Sequence, residues 1–232
     1  MNSEISEQAA RFLKAYPDTL RAVENDRLVF FSGKSLQFSS LGEKDYFETL
    51  AGPDVADHLR LPYPIGLNSF AAPEIAFDPG RFRNEDFFGT MYGARENEVR
   101  ENLVKIVWMP KTTKKEIWVS KVNGIDKRLT RISDILEALP QDLRCYVDDV
   151  DETFVWRVIA RNDVWNKVQK PLRSAHSYGI AVDIRPTDKA LHPGIFDYWA
   201  WHIEEFLENG RFNHPTRLPT QIVEIFENEG FI

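Results

Sequence analysis

The stretch Ser174-Ala-His176-Ser-Tyr-Gly179-Ile-Ala181-Val-Asp183-Ile184 decides how this chain is read. It places a histidine and, seven residues later, a carboxylate around a glycine and an alanine. If the segment is a turn running into a strand, side chains alternate from Gly179 to Ile184. Ile180, Val182 and Ile184 then face a core, while Gly179, Ala181 and Asp183 face the other way. Asp183 would stand among tiny neighbours, leaving room above the strand for an ion and a substrate. His176 lies in a loop able to fold back over that face. An imidazole with a carboxylate is a hard-to-borderline donor pair, suited to zinc. Two plainer explanations fit the same residues: a surface turn leading into a buried strand, or a structural domain in which His176 and Asp183 hydrogen-bond each other.

The rest of the chain bounds the possibilities. Its 232 residues make one large domain or two small ones. A hydrophobic content of 43%, with 6 Trp and 16 Phe, marks a globular protein with a sizeable core. The net charge of -7 argues against a nucleic-acid partner, which favours a basic face. The basic runs are short: Lys111-Thr-Thr-Lys114-Lys115 reads as a hairpin tip and Lys127-Arg128 as a turn. A single cysteine, Cys145, excludes an internal disulfide, and its setting reads as a packed core thiol. No run approaches the roughly 18 apolar residues of a membrane span, so no transmembrane segment is expected. The N-terminus has neither the basic nor the apolar region of an export signal.

Periodicity gives a coarse map. Ser6 to Tyr16 reads as an amphipathic helix ended by Pro17, and Arg27 to Gly33 as a strand closed by a glycine turn. Phe47 to Pro64 reads as irregular, and Ala72 to Arg83 as loop. Arg95 to Leu103 reads as a short helix with a Glu96–Arg100 pair. Leu103 to Pro110 and Lys115 to Val122 read as the strands of a hairpin, followed by a tight Asn123-Gly124 turn. Ser133 to Leu139 reads as a helix capped by Ser133 and stopped by Pro140. Phe196 to Leu207 and Thr220 to Glu229 read as the last helices. The expected fold is α+β: an antiparallel sheet with packed helices, preceded by a loop-rich N-terminal region. The expected division is a region 1–124 carrying the hairpin and a domain 125–232.

In its full wording the opening segment resembles the zinc D-alanyl-D-alanine carboxypeptidases and the related L-alanyl-D-glutamate peptidases of bacterial cell-wall metabolism. Their pattern Ser-x-His-x-x-Gly-x-Ala-x-Asp-Ile is met at every fixed position. Thr153-Phe-Val-Trp156-Arg157-Val-Ile159-Ala160 is similar to a Trp-Arg-x-Ile-Ala motif of one subgroup. Asp78-Pro-Gly80-Arg81-Phe-Arg83-Asn84, Met91-Tyr-Gly93 and Val122-Asn-Gly124 are weaker likenesses to the same subgroup.

The resemblance implies zinc as cofactor, with His176 and Asp183 as the first two ligands. It implies that Arg157 lies near the scissile carbonyl or a peptide carboxylate, where a guanidinium stabilises an oxyanion or clamps the carboxylate. A salt bridge to the acidic run Asp148 to Glu152 is the competing role for Arg157. The implied partners are peptidoglycan peptides, cut by a metal-activated water, in a periplasmic or extracellular location. Ser174 and Ser177 read as turn-formers. The family closes its site with a further histidine and an acidic base after a Gly-Phe-x-Trp-Gly-Gly segment, whose beginning Gly230-Phe231-Ile232 matches. That leaves two expectations open: an active hydrolase, or a truncated, inactive homologue that at most binds wall peptides. None of His192, His202 and His214 sits at the matching position, and as a substitute ligand His214 is the least bad of the three.

Overall fold

Two six-residue runs that alternate in burial build the centre of one half of the molecule. In the computed structural model, which describes residues 3–40, 42–60, 65–66, 82–151, 153–159, 172–185 and 218–231, Leu103–Trp108 pairs antiparallel with Lys115–Ser120. The register runs from Leu103 opposite Ser120 to Trp108 opposite Lys115. We label these strands β4 and β5, after β1 (Leu20–Glu24), β2 (Arg27–Phe30) and β3 (Ser35–Gln37). The α+β class holds: every strand pairing described is antiparallel, in small sheets beside helices.

Two compact units form. The first comprises Met1–Pro62, Asp78–Asn102 and Val158–Ser174. It holds α1 (Ser3–Ala15), the β1-β2-β3 meander, α2 (Tyr46–Ala51), α3 (Glu85–Tyr92) and α4 (Glu96–Glu101). Its core is aromatic. Phe12 meets Phe38 and Phe87 edge-on, at 5.5 and 5.6 Å between centroids. The His58 ring lies 5.3 Å from Phe87 and 5.5 Å from Phe88. His58 Nε2 accepts the Asn84 N–H at 2.7 Å, while Asn84 Oδ1 caps α3 by accepting from Phe87 N–H. The stretch read as irregular from Phe47 carries α2 and a 3-10 turn at Ala56–Leu59. The missed signal was Asp45-x-x-Glu48, a reciprocal capping box with bonds of 2.8 and 2.9 Å.

The second unit comprises Tyr63–Phe77, Leu103–Arg157 and Ala175–Ile232. Here α5 (Ile125–Glu137) packs on β4 and β5, and the C-terminal helix α7 (Thr220–Asn228) packs on α5; α6 is the short Gln141–Arg144. Trp108, Met109, Ile117, Val119, Leu129, Ile132, Leu136, Val147, Val150 and Ile222 form its core. Burying side chains of this size stabilises by about 1.5–3 kcal/mol each.

Three expectations change in this unit. The helix read from Ser133 begins eight residues earlier, at Ile125, directly after the left-handed Asn123 and Gly124. Ser133 is no cap: it is buried in mid-helix, where its Oγ accepts the Met109 N–H at 2.6 Å as the chain leaves β4. Cys145 is half-buried, not a core thiol. The helix expected at Phe196–Leu207 and the loop at 72–81 lie outside the described residues.

Candidate functional site

The segment that carries the histidine is a 3-10 turn, Ala175–Tyr178, in which His176, Ser177 and Tyr178 are buried. It ends at Gly179, whose φ of +66° is left-handed. Gly179 N–H returns to His176 O at 3.0 Å, and Ser120 N–H, at the end of β5, donates to Gly179 O at 2.9 Å. A Cβ at 179 would sit 2.6 Å from Leu103 Cδ2 and 3.1 Å from Ser120 N. This overturns part of the first reading. The glycine does not clear space for an ion; it lets the turn lie against the hairpin.

The strand is also shorter than expected. Only β7 (Ile184–Arg185) pairs, with β6 (Asp149–Val150), in the register Val150 to Ile184 and Asp149 to Arg185. Val182 and Ile184 pack on the core, as the alternation required. Asp183 is held by its own backbone, because Asp151 N–H donates to Asp183 O at 2.7 Å. Lys115 braces the partner strand: its Nζ reaches Asp149 Oδ1 at 2.9 Å and also bonds the Val150 carbonyl.

These two anchors bring the predicted donors together. His176 Nε2 lies 3.3 Å from Asp183 Oδ1. The His176 side chain is 11% exposed and that of Asp183 is 53% exposed, so the pair sits where a core meets solvent. Two donors on one tetrahedral zinc, each about 2.0–2.1 Å from the metal, stand about 3.4 Å apart. A charge-assisted N–H···O bond is shorter, about 2.7–2.9 Å. The pair's separation fits two ligands of one ion and, as a longer contact, an ion pair between the two side chains. Among the described residues no group of three or more His, Cys, Asp or Glu side chains is set to hold a metal. His192, His202 and His214 lie outside the described residues.

Arg157 is exposed, and its backbone is placed beside the histidine turn. Arg157 N–H donates to Ser177 Oγ at 2.9 Å, and Val155 N–H donates to His176 O at 3.3 Å. The structure thus gathers the three residues singled out from the sequence into one region of the second unit. Ser177 had read only as a turn-former. Its bonds reach residues 20 and 22 positions away, which no local sequence signal reveals.

Among the described residues no helix is long and apolar enough to cross a membrane. Residues 167–232 match the family model described as D-alanyl-D-alanine carboxypeptidase, in keeping with the resemblance seen in the sequence. That match includes both His176 and Asp183. No curated protein and no solved structure matches the chain.

Proposed function

We propose that this protein is a zinc-dependent peptidase acting on D-Ala-D-Ala or related bonds in peptidoglycan stem peptides. The observation that carries the reading is the 3.3 Å approach of His176 Nε2 to Asp183 Oδ1, within the stretch that matches the carboxypeptidase family. His176 and Asp183 would hold the metal. Bound there, zinc supplies Lewis acidity and makes a water nucleophile available near neutral pH. Asp183 keeps a half-exposed carboxylate beside that position, anchored through its carbonyl to Asp151. Arg157, exposed and fixed next to the His176 turn, would bind the peptide's terminal carboxylate or the carbonyl under attack. Ser177 is not the nucleophile, because its buried hydroxyl is engaged with backbone. Such substrates place the protein in the periplasm or outside the cell.

The test is release of D-alanine from a stem peptide ending in D-Ala-D-Ala. The reading predicts turnover that a chelator abolishes and zinc restores, and a loss of at least about 100-fold in His176→Ala. Turnover indifferent to both treatments would sink it. The 3.3 Å distance also favours a second reading, in which His176 and Asp183 form a purely structural ion pair. That reading predicts a stable chain with no zinc and no hydrolysis.

A further inference from the structure

Ser177 is completely buried, and its hydroxyl serves a stretch of chain remote in sequence. The Oγ accepts from Arg157 N–H at 2.9 Å. It lies 2.8 Å from Arg157 O and 3.1 Å from Val155 O, and donates its one proton into that pair of carbonyls. A backbone bond runs alongside, from Val155 N–H to His176 O. A side-chain hydroxyl thus occupies the place that a neighbouring strand's peptide group would fill. This group and that backbone bond tie the segment 155–157 to the turn bearing His176.

We propose that Ser177 is a positioning residue that sets Arg157 relative to His176, and through Arg157 governs how the peptide is bound. This rests on the reading of Arg157 as the substrate-binding guanidinium. The physical ground is that buried polar groups require partners. With the hydroxyl gone, the Arg157 N–H and one or both carbonyls lose theirs. The segment then shifts to reach water, and Arg157 moves with it. Displacements of about 1 Å in a binding group cost on the order of 100-fold in rate. His176 keeps a hold outside the segment 155–157, since Gly179 N–H donates to its carbonyl at 3.0 Å, so the metal donors stay in place.

The test uses the full zinc-loaded chain, with Ser177→Ala and the size-matched Ser177→Cys, each alone and combined with Arg157→Ala. Three quantities are read: amide exchange at Arg157, zinc per chain, and kcat and KM on a peptide ending in D-Ala-D-Ala. Both Ser177 variants should exchange the Arg157 amide at least tenfold faster, with zinc content unchanged. Their kcat/KM should fall roughly 10- to 100-fold, chiefly through KM. In the Arg157→Ala background the fall should vanish. Unchanged exchange at Arg157 would overturn the proposal. So would loss of zinc, or an equal fall in the Arg157→Ala background, which marks a merely structural role. If the wild-type chain hydrolyses nothing, the peptidase reading fails, while the exchange result still decides what Ser177 holds.

Discussion

Replacing Gly179 by alanine separates two accounts of the histidine segment. If the glycine merely leaves room above a metal, a methyl group costs the fold little and zinc much. The structure predicts the reverse. At φ +66° an L-residue is strained by about 1–2 kcal/mol. The added Cβ would also stand 2.6 Å from Leu103 Cδ2 and 3.1 Å from Ser120 N, inside van der Waals contact. Leu103 can rotate away, but the β5 backbone at Ser120 can retreat only by stretching its 2.9 Å bond to Gly179 O. Overpacking of this kind costs about 1–3 kcal/mol. The sum is about 2–5 kcal/mol, a large part of a typical domain's stability. Urea unfolding of metal-free wild type and Gly179→Ala, followed by tryptophan fluorescence, gives the difference directly. A variant within about 0.5 kcal/mol of wild type would refute the packing argument.

Other consequences concern single residues. His58 is held neutral: burial among Phe12, Phe87 and Phe88, and then the charge of Arg83, push its imidazole down to about 4. The residue is half-buried, with Phe12, Phe87 and Phe88 set against its ring. Because the folded value lies below the unfolded one, stability is full above about pH 6.5 and falls as the pH drops towards 4. The loss should reach about 3 kcal/mol, and His58→Gln should flatten that slope in denaturant titrations at stepped pH. Ser133→Ala should cost about 1–3 kcal/mol, since it strands the buried Met109 N–H inside the core; a thermal midpoint unchanged within error would contradict this.

How much of this was legible in the sequence differs by element. The β4-β5 hairpin was, because one face of each strand is buried and the other is not, which writes a period of two into the residues. The amphipathic α1 and α7 were legible for the corresponding helical reason. The start of α5 was not. Serine favours caps because its hydroxyl competes for backbone donors, and at Ser133 that same chemistry serves the Met109 N–H of another element. The sequence showed Gly179 as small; it could not show a left-handed backbone pressed on Leu103. His176 and Asp183 were visible as a spaced pair, but their approach depends on Asp151 and Ser120, whose contributions are backbone bonds that leave no mark on residue type.

The central claim is that His176 and Asp183 share one zinc ion. Competition of the purified chain against a chromophoric chelator measures zinc stoichiometry and affinity together. The account predicts one zinc per chain, with affinity reduced at least roughly 10- to 100-fold in both His176→Ala and Asp183→Ala. A chain that takes up no zinc, or variants that bind it as tightly as the parent, would contradict it.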